Sequence, residues 1–209
     1  MEISARQGRQ NKIHILVDGE YTWTIDAEYW FSCPYCRITR IEEGEQAEKF
    51  KEDIGSRCAY IAGLRSLSYG DSSRKNLRDK LITKGHRREY VEIALDRLED
   101  YGFINDLRFA RNLRDKLSSS KHMSKAGIKQ ELYRKGVDRE TIDTVLAEFE
   151  IDPGEEIEAL LSGKYSKYLG DEKGRKKTAA ALQRLGYGWS DIKSALEKYD
   201  RGIEEEYYD

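Results

Sequence analysis

The cysteines are the residues of this 209-residue chain whose type and spacing most directly suggest chemistry. Cys33 and Cys36 form a Cys-Pro-Tyr-Cys sequence, and Cys58 stands alone. A Cys-x-x-Cys pair at the start of a helix can lower the pKa of one thiol and support thiol–disulfide exchange. That chemistry needs a βαβ context with a cis-proline beside the thiols, and Pro153, the other proline, lies in a helical region. We therefore predict no redox site.

Metal and nucleotide sites are not predicted either. The histidines, His14, His86 and His122, show no ligand spacing with the cysteines. The sequence at 163–166, Gly-Lys-Tyr-Ser, lacks the spacing of a phosphate-binding loop, and the carboxylates alternate with basic residues at helical spacing. We predict that the chain is not an enzyme and has no catalytic residue, no bound metal and no cofactor.

The composition indicates a charged surface over a thin core. Charged residues make up 36% of the chain, against about 25% in an ordinary domain. With 37 Lys and Arg against 39 Asp and Glu, the net charge is −2, so an anion-binding face must come from local segregation of charge. Without a long apolar run or a secretory signal, and with an odd number of cysteines, we expect a cytoplasmic protein that does not enter membranes.

Local segregation is found in residues 71–88, which contain seven basic and two acidic residues. Later basic residues recur at matching distances, so that Arg74, Lys125 and Arg175 occupy one shared position. A basic run on a helix is usually only its solvated face. Recurrence in register favours instead a row of contacts along a phosphate backbone or an acidic surface.

A repeat of about fifty residues places these basic side chains. An offset of 51 superposes Leu77 and Leu81 on Ile128 and Leu132, and a third copy follows near Leu182. Each copy reads as a short helix closed by glycine, a second amphipathic helix, and a third helix in the first two copies. Each module leaves an apolar face that a neighbour must cover, so we predict a stacked array.

The first 44 residues differ from the rest and predict a small β-structure. Alternating apolar residues on both sides of residues 18–20 indicate a hairpin. A three-residue loop there would place Val17 opposite Tyr21 and Ile13 opposite Ile25. A further short strand near Ile3 would stabilise this hairpin.

The predicted fold is mainly α, an elongated and curved tandem array of three three-helix repeats with a small N-terminal β-hairpin or sheet. The aromatic residues Tyr101, Phe103, Phe109 and Phe149 are expected in the core. The predicted segments are the hairpin region 1–44, a connecting helix 45–70, repeat one 71–120, repeat two 121–170, and repeat three with an acidic tail 171–209.

Two segments resemble the RecX regulators of the bacterial recombinase RecA. Residues 98–110, from Leu98 to Ala110, are similar to the family's Gly-aromatic-aliphatic-acidic-Asp-x-x-Phe-Ala signature, and residues 74–85 resemble the start of its first repeat. The resemblance covers residues 58–198. It implies a protein that binds in the groove of the RecA–DNA filament and limits filament growth, ATP hydrolysis and strand exchange. Leu185 departs from the pattern, because it replaces the lysine before the module-closing glycine.

The resemblance and the repeat together define the candidate binding residues. We expect a monomer that contacts RecA and the single-stranded DNA within the filament. A direct DNA-binding regulator of the helix-turn-helix type and a scaffold without nucleic-acid contact remain as alternatives; the former would ordinarily dimerise on half-sites. The candidate partner- and DNA-binding residues are Arg74, Lys75, Arg78, Lys84, Arg108, Arg111, Lys125, Lys129, Lys135, Arg175 and Lys176.

Overall fold

The computed structural model describes the backbone of residues 1–208 and the side chains of residues 1–201, so the side chains of the predicted acidic tail lie outside the described part. The chain divides into two compact units, Met1–Asn105 and Asp106–Asp209. Ten α-helices and one three-stranded antiparallel sheet occur in the described residues, which confirms the mainly α fold with a small N-terminal sheet.

The first unit carries the sheet and the first four helices, joined by short turns. Its elements are β1 (Ile3–Gln7), β2 (Lys12–Val17), β3 (Glu20–Asp26), α1 (Ala27–Ser32), a 3₁₀ turn (Pro34–Arg37), α2 (Glu45–Leu67), α3 (Arg74–Thr83) and α4 (Arg88–Asp100). The second unit is helical in its described residues. Its elements are α5 (Asp106–Lys121), α6 (Lys125–Arg134), α7 (Arg139–Ala147), α8 (Pro153–Ser162), a 3₁₀ turn (Ser166–Tyr168), α9 (Glu172–Arg184) and α10 (Trp189–Tyr208).

The hairpin forms with most of the predicted pairs but a tighter turn. Ile13 pairs with Ile25 as predicted, whereas Val17 pairs with Glu20 rather than with Tyr21. Asp18 and Gly19 have φ angles of 50° and 83°, so they form the two-residue turn that matches the twist of a hairpin. A bulge opposite Ile15 and Leu16 absorbs the extra residue and keeps the apolar face in register.

The apolar positions of the sequence repeat are the core positions of the structure. Leu77, Leu81 and Val91 are fully buried in the first unit. Ile128, Leu132 and Ile142 are their equivalents in the second unit, and they are buried in the same way. Burial at equivalent positions confirms the three-helix repeat, because the same side of each helix meets the same neighbours.

The helices group one helix earlier than the predicted boundaries. The helix α2 packs on α3 and α4, α5 packs on α6 and α7, and α10 packs on α8 and α9. The helix predicted at 45–70 is therefore the first helix of a repeat, and α5 belongs with the residues that follow it. A sequence period gives the length of a repeat and not its starting point, which is decided by burial: Ala110 and Leu117 of α5 are buried with α6 and α7.

This grouping makes the third repeat complete. The sequence predicts only two helices in the third repeat. In the structure α8 is its third helix, because Ile157 and Leu160 of α8 share a core with Leu182 and Ile192. Each repeat thus consists of a leading helix, a basic middle helix and a closing helix. The middle helices are α3, α6 and α9, and the closing helices are α4, α7 and α10.

Two of the four predicted core aromatics are exposed. Tyr101 and Phe103 are 71% and 46% exposed, so their assignment to the core is wrong. They flank Gly102, whose φ of 73° turns the chain after α4, and Ile104 is the residue that enters the core there. Phe109 and Phe149 pack partly buried against the core of α5 to α7, as predicted.

Candidate partner-binding surface

The middle helices begin with side-chain caps that fix where the basic residues project. The Ser73 hydroxyl accepts a hydrogen bond from the Asn76 N–H, and the Ser124 hydroxyl accepts one from the Gly127 N–H. The first helical residues are then Arg74 in α3 and Lys125 in α6. A cation in the first turn is opposed by the helix dipole, so these side chains need partners elsewhere.

Arg74 finds its partners on the closing helix of its own repeat. Its guanidinium nitrogens lie 2.6 Å from a Glu99 oxygen, 2.5 Å from an Asp96 oxygen and 3.4 Å from a Glu92 oxygen. Partial burial lowers the pKa of Arg74, but the hydrogen bond to Asp96 and the charges of Glu99 and Asp96 outweigh it and raise the pKa overall. This guanidinium therefore connects α3 to two turns of α4.

Arg78, one turn further along α3, repeats the arrangement. It donates two hydrogen bonds to Glu92, of 2.5 and 3.0 Å. The hydrogen bond from Arg78 is the largest cause of the lowered pKa of the Glu92 carboxyl. Paired N–H groups of one guanidinium on one carboxylate are the stronger geometry for such a pair.

The same positions tie middle to closing helices in the other repeats. In the second repeat, Lys129 Nζ lies 2.9 Å from an Asp143 oxygen, and Lys125 donates to the Phe149 carbonyl at 3.0 Å. In the third, Arg175 lies 2.6 Å from Asp200. The recurrence of these basic residues in register thus has a structural cause, since Arg74, Arg78, Lys129 and Arg175 each join the middle helix to the closing helix of their repeat.

The ion pair of Arg78 gives a pH-dependent prediction. Because the Glu92 pKa is lowered in the folded state, the pair stabilises the fold above the ordinary glutamate pKa of 4.5 and loses this effect as the pH falls through the lowered value. We expect Arg78→Met to lower the free energy of unfolding by about 1 kcal/mol at neutral pH. In urea titrations the difference from the parent chain should vanish in acid.

The matched control for this prediction is Lys75→Met. Lys75 is an exposed neighbour on α3 that forms no ion pair with a described residue. Its replacement should leave the free energy of unfolding unchanged at every pH. A deficit of Arg78→Met that is the same at acid and neutral pH would show that the lost packing of the arginine stem, and not the ion pair, is responsible.

The remaining candidates differ in how far they are engaged. Lys75 and Lys84 are exposed and form no ion pair with a described residue. Lys176 pairs with Glu172 at 2.6 Å within α9, and Arg111 donates two hydrogen bonds to Glu148, of 2.9 and 2.6 Å. Arg108 is exposed on α5, and Lys135 is half-buried at the end of α6. The role of these residues in binding a partner stays a prediction.

The acidic partners of the basic residues were missed by the sequence analysis. Glu92 and Asp143 are separated by the repeat offset of 51, the same distance that separates Arg78 from Lys129. Glu92, Asp96 and Glu99 also follow at the spacing of one helical face. Aligning acidic as well as basic positions between repeats is the signal that could have predicted these ion pairs.

Cys33 and Cys58 lie in surroundings that oppose thiolate formation. Burial raises the pKa of the Cys33 thiol, which donates to the Trp30 carbonyl at 3.1 Å. Burial also raises the pKa of Cys58 to about 12, and its thiol donates to the Thr24 carbonyl. A reactive thiol requires a lowered pKa, which is the opposite of the shift at Cys33. The described residues contain no group of three or more side chains suited to a metal ion.

Length and hydropathy also bear on membranes. No described helix combines the length and the apolar character that a transmembrane segment requires.

The fold and these contacts define a class of protein built from tandem three-helix modules whose basic middle helices are tied to their closing helices. Two family models match the chain: "RecX, first three-helix domain" at residues 59–98 and "RecX, second three-helix domain" at residues 105–146. The second match covers α5, α6 and most of α7, in agreement with the grouping by packing. The chain belongs to the RecX family of regulatory proteins.

Individual relatives show the extent of the similarity. "Regulatory protein RecX" of Caldanaerobacter subterraneus subsp. tengcongensis is 31% identical over 146 residues, which are 68% of this chain and 71% of the relative. That of Trichlorobacter lovleyi is 34% identical over 66% of this chain and 94% of its own length. A solved structure, "Crystal structure of regulatory protein RecX", has a TM-score of 0.60 at 21% identity and covers 94% of this chain and 98% of its own, which shows the shared fold.

Proposed function

We propose that this chain is a non-enzymatic regulator that binds in the groove of the RecA–DNA filament and limits filament growth, ATP hydrolysis and strand exchange. The observation that carries the proposal is membership of the RecX family across both matched three-helix domains. The proposed partners are the RecA filament and the single-stranded DNA within it, and the proposed state is a cytoplasmic monomer.

The charges of α3 support an anionic partner. Of the four candidate residues on and just after α3, Arg74 and Arg78 are held by α4, whereas Lys75 and Lys84 are exposed without an ion pair to a described residue. Exposed ammonium groups at opposite ends of one rigid helix can meet phosphates or carboxylates of a partner without breaking a contact of their own. We propose that these lysines make the direct contacts, whereas the arginines hold the helix that carries them.

The test is the DNA-dependent ATPase of RecA on single-stranded DNA. Addition of the purified chain in micromolar excess should lower the rate, because a bound regulator blocks addition of new RecA subunits. Raising the DNA concentration serves as the control, since inhibition through the filament persists when free DNA is in excess. An unchanged ATPase rate would overturn the proposal, and tight sequence-specific binding to duplex DNA without RecA would favour the helix-turn-helix alternative.

A further inference from the structure

One edge of the N-terminal sheet is left without a partner strand among the described residues. The strand order is β1-β2-β3, so β1 and β3 are the two edges. The outer side of β1 is partly covered, because Ile3 N–H donates to the Thr39 carbonyl and Glu2 forms a bridge with Arg40. The outer side of β3 faces α2, whose Cys58 thiol donates to the Thr24 carbonyl, and a groove lies beside the preceding residues 20–23. An edge strand is a template for pairing with a further strand.

This groove, which we call the strand–helix slot, has one wall of strand and one wall of helix. Residues 20–24 of β3 line one side, and the face of α2 from Lys51 to Arg65 lines the other. The α3–α4 connection, residues 84–87, and Tyr90 line a further side, and the volume of this open groove is about 1050 Å³. The α2 wall is about 21 Å long, which matches about six residues of extended chain.

The walls provide both apolar surface and positive charge. Along α2 the slot is lined by the small or apolar residues Gly55, Cys58, Ile61 and Ala62. Five basic and two acidic side chains also line it, and the acidic residue Asp18 already accepts a hydrogen bond from the Glu2 N–H. Lys12, Arg65 and Lys84 form no ion pair with any described residue. The slot therefore suits an occupant with an extended backbone and negative charge.

We propose that the strand–helix slot binds an extended acidic peptide of a partner protein, which pairs with the outer edge of β3 at residues 20–23. Main-chain hydrogen bonds to an edge strand supply affinity, and pockets and charges beside it supply specificity. Apolar side chains of the peptide pack on the α2 wall. Its carboxylates meet Lys12 beside β3, Arg65 at the end of α2 and Lys84 at the α3–α4 connection.

The aromatic side chains of the slot favour a peptide over a nucleic acid. The Trp23 ring packs edge-on against Phe50 with centroids 6.0 Å apart, and the Tyr21 ring contacts His14 in the same way at 5.6 Å. The Tyr21 hydroxyl is also hydrogen-bonded to the Thr24 hydroxyl at 2.7 Å. Binding of single strands relies on several ring faces that stack on successive bases. The slot offers one such face at most, because Tyr21 is 63% exposed whereas the Trp23 ring is packed against Phe50.

The test uses the full chain and a synthetic labelled peptide, Glu-Val-Glu-Ile-Glu-Val-Glu, whose charges and β-branched residues match the slot. Fluorescence anisotropy should show saturable binding that weakens with salt, and the counterpart with lysine in place of glutamate should not bind. Neither RecA nor DNA is present, so failure of this proposal and failure of the proposed function are separate results. Amide hydrogen exchange should slow in β3 when the peptide is bound.

Charge reversal locates the site. The double variant Arg65→Glu with Lys84→Glu should bind the peptide roughly tenfold more weakly. The control, Arg9→Glu with Lys49→Glu, makes the same change in net charge at exposed residues outside the slot and should bind as the parent does. The proposal is overturned if neither peptide binds, if both bind equally, if the two variants behave alike, or if oligodeoxythymidylate displaces the peptide and takes its place.

Discussion

Replacing Gly127 by alanine is expected to lower the free energy of unfolding by about 2 kcal/mol or more, whereas the same change in an ordinary helix raises it by up to about 1 kcal/mol. A Cβ atom at Gly127 would lie 2.3 Å from the Leu185 carbonyl oxygen and 3.0 Å from its carbon. Both are backbone atoms, so α6 and the turn after α9 would have to separate.

That approach is held by two hydrogen bonds within the second unit. The Ser124 N–H donates to the Leu185 carbonyl at 3.0 Å, and the Tyr187 hydroxyl donates to the His122 carbonyl at 2.9 Å. Gly186 follows at once with a φ of 93°, and a Cβ there would lie 2.5 Å from the Gly127 backbone. The junction of the second and third repeats therefore depends on the absence of side chains at both glycines.

Urea unfolding followed by circular dichroism measures this effect. Gly170→Ala is the control, because a Cβ at Gly170 meets nothing within 4 Å, and its stability should be unchanged or slightly raised. If Gly127→Ala proves as stable as the parent chain, the two repeats do not pack as closely as described.

Reversing the charges of Lys75 and Lys84 to glutamate is expected to weaken inhibition of the RecA ATPase roughly tenfold or more, while helicity and the free energy of unfolding stay unchanged. Both lysines are exposed and form no ion pair with a described residue, so their loss removes only contacts to a partner. The measurement is the concentration of the chain that halves the ATPase rate, together with urea unfolding of each variant.

The variant Arg78→Met distinguishes residues that contact the filament from residues that only stabilise the packing of α3 on α4. Its loss removes the two hydrogen bonds to Glu92, so it should lower stability yet leave inhibition by the folded chain intact. Single Lys75→Glu is useful as well, because Lys75 does not line the strand–helix slot and reports on the filament alone. Full inhibition by the doubly reversed variant would show that the exposed face of α3 does not contact the filament.

The candidate site illustrates the limit of counting charges along a sequence. Arg74, Arg78 and Lys129 were predicted as a row of partner contacts because they recur in register. The structure shows each of them in an ion pair with a closing helix, whose acidic residues recur in the same register. When a residue type recurs in register, it makes the same contact in each repeat. That contact can be with a neighbouring helix of the repeat as well as with a partner protein.

The amino-acid sequence alone determined the features that depend on local periodicity. The apolar positions of the repeats, the left-handed glycines that end the middle helices at Gly85, Gly136 and Gly186, and the pairing of Ile13 with Ile25 all follow from side-chain spacing. Such spacing decides which face of a helix or strand leaves water, because burial of apolar surface drives that choice. The family resemblance rested on the same positions.

Only the tertiary structure decided where a repeat begins, which basic residues are engaged within it, and that β3 and α2 enclose a slot. These features depend on which elements pack together. The repeat of about fifty residues fits equally well whether α5 packs with α3 and α4 or with α6 and α7. The burial of Ala110 and Leu117 against α6 and α7 settles that choice. Likewise, Arg74 and Arg78 acquire their acidic partners only when α4 packs beside α3. A hydrogen bond requires atoms about 3 Å apart, and separation along the sequence does not give the distance between two side chains in space.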